Sequence, residues 1–304
     1  MSLYLKYRPA SFEEVVGNQT LVEGLQNMLG NLKKCPHSFL LTGPTGCGKT
    51  TLGRIIAQEL GAKGSDFKEL DSAQFRGIDL IRDIREKASY SGLEGTIRVW
   101  ILDECHKLTG DAQSALLKIL EDTPKHVYFI LCTTDPQKLL PTLKGRCFTF
   151  EVRPLEESEM MRLLRKVVKA EEESLEKAVY DQIIQDSFCY PRNALNILDQ
   201  VLRVAPESRL ATATKAAENQ SQSIELCRIL LQGGGWGRVS KILKGLKNED
   251  PESIRRHVLG YCQAVLLSGK DDDRLGLIME EMIGNFYDSG FNGLVFACYS
   301  IVKG

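Results

Sequence analysis

The segment from Ser38 to Leu60 constrains the fold more than any other part of the chain. A short apolar run, Ser38 to Leu41, leads into Gly43-Pro44-Thr45-Gly46-Cys47-Gly48-Lys49-Thr50. Thr51 to Leu60 then carries Leu52, Ile55, Ile56 and Leu60 at helical spacing and stops at Gly61. This is G-x-x-x-x-G-K-[ST] set between a strand and a helix, the context that separates a phosphate-binding loop from an ordinary glycine-rich turn. Glycines let successive backbone N–H groups point inward at phosphate oxygens, and the start of the following helix adds its partial positive charge. Lys49 is expected to reach the outer phosphates of a nucleoside triphosphate, and the Thr50 hydroxyl to ligate Mg2+. The expected nucleotide-holding stretch is Gly43, Pro44, Thr45, Gly46, Cys47, Gly48, Lys49, Thr50 and Thr51.

Further along, Val99-Trp100-Ile101-Leu102-Asp103-Glu104 is an apolar strand that ends in two carboxylates. Beside an intact phosphate loop, Asp103 is expected to hold Mg2+ and Glu104 to orient and polarise an attacking water. A plain polar strand end is the alternative. Phe67 to Leu70, Val127 to Thr133 and Cys147 to Val152 are further buried-strand candidates, and helical patterns alternate with them. Leu80, Ile81, Ile84 and Ala88 mark one helix, and Ala115, Leu116, Ile119 and Leu120 another. That alternation predicts an α/β fold with a mostly parallel, doubly wound sheet. After Pro154 the strand signal ends: Glu156 to Ala170, Ser174 to Asp186 and Asn193 to Val204 read as helices. Pro206 to Asn219 reads as a polar linker, and helices return from Ser221, broken at Gly233-Gly234-Gly235, at Asn248 to Pro251 and at Ser268 to Asp273.

With 304 residues the chain exceeds one compact domain. No apolar run is long enough to cross a bilayer and no signal-peptide core opens the chain, so a cytoplasmic protein with no membrane partner is expected. None of the nine cysteines is spaced C-x-x-C and only four histidines are present, so no zinc site is expected. A net charge of −1 excludes a bulk basic footprint for nucleic acid. Any DNA contact has to come from a local stripe or from several subunits pooling one.

Several motifs in order resemble those of AAA+ clamp loaders. Tyr7-Arg8-Pro9 followed by Val15-Val16-Gly17 is similar to their N-terminal segment, and Pro36-His37 to the pair before their first core strand. Asp103-Glu104-Cys105-His106-Lys107-Leu108 resembles the D-E-x-H-x-L of the bacterial DNA polymerase III gamma/tau family, and Thr133-Thr134-Asp135-Pro136-Gln137-Lys138-Leu139 its sensor 1 strand and following loop. Arg76-Gly77-Ile78-Asp79 with Arg82 is similar to the small subunits of replication factor C. The matches span roughly residues 4 to 200.

The resemblance implies a P-loop AAA+ core over residues 1–153, a helical lid over 154–212 and a helical collar for oligomerisation over 213–304. It implies ATP and Mg2+ as cofactors. Its implied partners are a sliding clamp, primer–template DNA and other loader subunits in a ring-like, pentameric assembly. Thr134 would be sensor 1. Arg146, in Gly145-Arg146-Cys147, would be the arginine that reaches a neighbouring subunit's ATP site, with Gly145 standing where the family has serine. Arg192, in Pro191-Arg192-Asn193, would be sensor 2, touching the phosphates from the second domain. Tyr7, Arg8, Val15 and Val16 would form the adenine side, and Arg76, Arg82 and Arg85 a stripe tracking DNA phosphates, against the bland alternative of a solvated helix face balanced by Asp79, Asp83 and Glu86. Tyr90 and Leu93 fall where relatives touch the clamp, with core or turn packing as the other reading.

The four-cysteine zinc insertion of bacterial gamma/tau chains is missing, since Leu60 to Asp71 contains no cysteine. Two rivals carry the same loop. A branch-migration helicase would normally add a strand-containing winged domain, against which the helical pattern after Ser221 speaks. A non-hydrolysing scaffold subunit typically has a damaged phosphate loop, and this loop is intact.

Overall fold

The computed structural model describes residues 1–303 except 33, 74–75, 89, 91–96, 221, 248, 268–272 and 287–288. By contact the chain divides into two compact units, Met1–Val167 with Tyr190–Arg192, and Val168–Cys189 with Asn193–Gly304.

The first unit is built on β1 (Ser38–Thr42), β2 (Phe67–Asp71), β3 (Arg98–Asp103), β4 (Val127–Thr133) and β5 (Phe148–Glu151). They form one all-parallel sheet in the order β2-β3-β4-β1-β5. Around it run α1 (Leu3–Lys6), α2 (Gln19–Leu29), α3 (Lys49–Glu59), α4 (Ile78–Ala88), α5 (Gly110–Glu121), α6 (Pro141–Lys144) and most of α7 (Glu157–Ala170). The central strands are apolar on both faces because side chains alternate with period two and both faces are covered. Phe39 and Leu41, Val99 and Ile101, and Ile130 and Cys132 pack with Leu25, Ile55 and Ile56 of α2 and α3. Leu40, Trp100, Leu102, Phe129 and Leu131 point the other way, onto Ile81 and Ile84 of α4 and Leu116 and Ile119 of α5. Asn18 joins segments distant in sequence: its amide donates to the Arg153 carbonyl and accepts from the Arg153 N–H, both at 3.0 Å.

The second unit is helical: α8 (Lys177–Ser187), the remainder of α9 (Pro191–Val201), α10 (Arg209–Gln220), α11 (Gln222–Leu231), α12 (Trp236–Gly245), α13 (Pro251–Leu267), α14 (Asp273–Ile283) and α15 (Gly290–Lys303). The linker expected over Pro206 to Asn219 is corrected here, since Arg209–Gln220 is a helix. Arg209 is buried and donates to the Ser174 carbonyl at 2.7 Å and to Glu173 at 2.9 Å, while Ala213 is fully buried. Small residues and a buried guanidinium lack the apolar periodicity by which a packed helix is read from sequence. Asp271 and Asp272, and with them the expected break before Asp273, lie outside the described residues.

Asp186 of α8 is fully buried and ion-paired with Arg228 of α11; its other oxygen accepts from Gln182 at 2.6 Å, and Arg228 also donates to the Thr214 carbonyl of α10 at 3.3 Å. Removing one partner of a buried pair strands the other charge, at a cost of about 3–5 kcal/mol. We therefore expect Asp186→Ala to lower stability by that amount in urea unfolding. Breaking the exposed Arg203–Asp199 pair with Arg203→Ala should cost no more than about 0.5 kcal/mol.

Candidate functional site

The phosphate loop leaves the carboxyl end of β1 and enters α3 with Gly43, Gly46 and Gly48 at φ of 138°, 83° and 103°. These are backbone conformations that side chains resist, which is why glycine occupies the positions. At Gly43 the need is also steric, since a Cβ there would stand 2.1 Å from the Val152 carbonyl oxygen. Lys49, at the first turn of α3, is buried, and its ammonium donates to the carbonyls of Gly43 and Pro44, both at 2.9 Å. Burial lowers its pKa, with Glu104 and Asp103 nearby opposing the shift. Cys47 is buried within the loop, and burial pushes its thiol up to about 12, so at neutral pH it is a small uncharged filler.

β3 delivers the carboxylates to the same place. Thr50 Oγ1 donates to Asp103 Oδ2 at 2.7 Å. Adjacent ligands of an octahedral Mg2+ stand about 3 Å apart, so this pair of hard oxygen donors fits that ion with little rearrangement. Asp103 Oδ1 accepts the Glu104 N–H at 3.0 Å. Glu104 itself takes the left-handed conformation, φ 50°, which costs a non-glycine residue about 1–2 kcal/mol and is typical of functional positions. The bend starts a 3-10 turn, Cys105–Lys107, anchored by buried Cys105 and Leu108. Glu104 Oε2 then accepts the Thr134 hydroxyl, at the end of β4, at 3.1 Å.

One pocket of the first unit is lined by Thr45, Gly46, Gly48, Lys49, Thr50, Thr51, Asp103, Glu104 and Arg192. Arg192 arrives there because the Tyr190–Arg192 segment touches the loop: its N–H donates to the Gly46 carbonyl at 3.4 Å, and its guanidinium lies 6.0 Å from the Tyr4 ring centre. Burial and the neighbouring Arg54 and Arg192 charges lower the Arg8 pKa. Tyr7, Arg8, Val15 and Val16 do not line this pocket. Val15 packs instead against the core under the loop, with its N–H on the Phe12 carbonyl at 3.2 Å.

Arg146 also stands apart from its own chain's pocket, exposed and paired with Glu121 at 3.0 Å. The preceding Gly145 has an ordinary right-handed conformation, φ −66°, and a Cβ there would meet nothing closer than 3.6 Å. Serine is thus not needed to shape this turn. Arg76, Arg82 and Arg85 are all exposed; Arg82 pairs with Asp79 at 3.0 Å, and Arg76 donates to the Ala73 carbonyl at 2.9 Å. Tyr90 is exposed, and Leu93 lies outside the described residues. The residue that sequence reasoning left without a role is His106, 3.3 Å from Glu104 Oε2 and 3.0 Å from the Thr133 hydroxyl. Its sequence signal is its place as the histidine of the D-E-x-H-x-L stretch, two residues after Glu104.

A family model described as DNA polymerase III, delta subunit, matches residues 64–156. The chain is similar to the DNA polymerase III subunit gamma/tau of Mycobacterium tuberculosis, 37% identical over 239 residues, covering 71% of this chain and 41% of that protein. It is 36% identical over 222 residues to the subunit tau of Bacillus subtilis, covering 66% of this chain and 39% of that protein. The chain thus spans about two fifths of the length of these relatives. Among solved structures, the Thermotoga maritima RuvB Holliday junction branch migration motor matches with a TM-score of 0.62 at 22% identity, over 78% of this chain and 85% of that one. At that identity the likeness is one of fold.

The two glycines make opposite predictions. Gly43→Ala drives a Cβ into a backbone oxygen and should destabilise the chain by about 2–4 kcal/mol in denaturant unfolding. Gly145→Ser, where a Cβ makes only ordinary contacts on an unstrained backbone, should stay within about 0.5 kcal/mol.

Proposed function

We propose, since this chain belongs to the AAA+ clamp-loader family, that it is an ATP-hydrolysing subunit of a machine that places a sliding clamp on primer–template DNA. The observation that carries this reading is the convergence, at one set of strand ends, of Lys49 in the phosphate loop, the Thr50–Asp103 oxygen pair and Glu104. Lys49, the loop N–H groups and Arg192 would bind the phosphates, and Thr50 and Asp103 would hold Mg2+. The ion, when bound, would neutralise charge developing on the phosphates. Glu104 would orient water for in-line attack, with Thr134 fixing its carboxylate; the work is positioning and electrostatics. Tyr7, Arg8, Val15 and Val16 remain the proposed adenine side. The core, lid and collar over 1–153, 154–212 and 213–304 remain the proposed functional division, with the collar holding several subunits in a ring. A branch-migration motor, the alternative, is favoured by fold alone.

Arg146 is exposed and absent from its own pocket, which supports action on a neighbouring subunit's ATP. Arg76, Arg82 and Arg85 would contribute one contact each per subunit to a shared phosphate track. An exposed pair such as Arg82–Asp79 is weak and easily exchanged for a phosphate.

Lys49→Ala should abolish ATP binding, whereas Glu104→Gln should keep binding and lose hydrolysis by about 10²- to 10⁴-fold. Equal loss of binding in both, by nucleotide titration, would overturn that division of roles. Arg146→Ala should bind ATP normally and hydrolyse it poorly, by about 10³-fold. Mixing it with Lys49→Ala should restore activity in mixed assemblies, and no recovery in assemblies shown to be mixed would count against a shared site. For DNA, binding to a primer–template with a non-hydrolysable ATP analogue should weaken with salt, and Arg82→Ala should flatten the log–log slope by more than about 0.9, since each subunit loses its contact together. Equal slopes, or equal binding without nucleotide, would return these arginines to a solvated face.

A further inference from the structure

Glu104 and His106 project from one 3-10 turn at the end of β3, and Thr133 ends the adjacent strand β4 with Thr134 just after it. Glu104 Oε2 accepts the Thr134 hydroxyl at 3.1 Å and lies 3.3 Å from His106 Nδ1. The same Nδ1 is 3.0 Å from Thr133 Oγ1. A carboxylate oxygen can only accept, so the contact with Oε2 is favourable only with a proton on Nδ1. Thr133 accommodates this assignment. Its hydroxyl oxygen already accepts the Asp135 N–H at 3.0 Å, and its second lone pair is available to a second donor. The imidazole is largely enclosed, its side chain 10% exposed, and burial holds its pKa below the ordinary histidine range despite Glu104 nearby. Burial thus favours the neutral ring, and a proton on Nδ1 would face both oxygens.

We propose that His106 is a positioning residue for ATP hydrolysis: its Nδ1–H bridges Glu104 Oε2 and the Thr133 hydroxyl, so that the carboxylate is held through one oxygen while the other is left to work on the attacking water. Among the described residues no hydrogen bond is donated to Oε1, and Glu104 lines the phosphate pocket. A glutamate on a bent, left-handed backbone has several rotamers that aim it elsewhere; the Thr134 hydroxyl on Oε2, joined by the proposed His106 Nδ1–H, selects one. His106 touches neither nucleotide nor water in this scheme and acts through Glu104. The inference rests on the ATPase reading, and its test separates the two.

His106→Ala should lower kcat for ATP by about 10- to 100-fold with KM little changed, since misplacing a catalytic group by about 1 Å costs that much. His106→Asn should recover most of the loss, because Asn Nδ2 stands the same number of bonds from the backbone as His Nδ1 and also donates. His106→Gln, one bond longer, should not. In a Glu104→Gln background His106→Ala should have no further effect. Histidine-selective 15N NMR of the wild type, with the His106 signal assigned by its loss in His106→Asn, should show the proton on Nδ1. A wild-type kcat in His106→Ala, an Asn variant no better than Ala, or a proton on Nε2 would each overturn the proposal. If wild type and Glu104→Gln hydrolyse ATP equally, the ATPase reading is what fails, and the nitrogen shifts still decide whether the hydrogen bond exists.

Discussion

Parallel pairing of five strands puts all their carboxyl ends on one edge of the sheet, and the pocket is assembled there. In register, Thr42 of β1 lies beside Thr133 of β4, and Leu102 of β3 beside Leu131 of β4. The phosphate loop that follows Thr42 and the carboxylates at Asp103 and Glu104 thus flank the end of a single strand. Parallel strands require crossovers, and the helices that make them cover both faces of the sheet. That is why β1, β3 and β4 carry unbroken apolar runs, and why their polar residues cluster just past their ends.

Within that edge the backbone departs from ordinary conformations where chemistry is expected. The loop glycines and Glu104 all have positive φ, and Gly43 is pressed against the Val152 carbonyl. The cost is offset by specific bonds: Thr50 to Asp103, Glu104 N–H to Asp103, and Thr134 to Glu104. Each makes a side chain that is mobile in isolation hold one direction, so the donors and acceptors are set before any substrate arrives. Lys49 illustrates the electrostatic side. It is a buried cation whose carbonyl partners are neutral, and a phosphate oxygen is the stronger acceptor for it.

Local pattern made much of the core legible. All five strand candidates became strands, but β2 and β5, expected to be buried, are the sheet's edges and largely exposed, and the pattern after Pro154 became helices. It failed at Arg209–Gln220, where the buried residues among the described side chains are an arginine, Arg209, and a small residue, Ala213. The adenine-side segment shows a different gap. Tyr7, Arg8, Val15 and Val16 were recognisable as a motif, yet motif recognition says nothing of which way they face, and they lie outside the phosphate pocket.

What the sequence determined by itself was whatever depends on neighbours along the chain. The spacing of glycines and lysine between a strand and a helix specifies a phosphate loop, and continuous apolar runs specify the buried central strands. Only the tertiary structure decided relations across large separations. Asn18 pairs with Arg153, 135 residues away, His106 meets Thr133 over 27, and Arg192 reaches Gly46. A hydrogen bond depends on distance and angle to within tenths of an ångström. Those are set by strand order and register, which no local pattern of residues encodes.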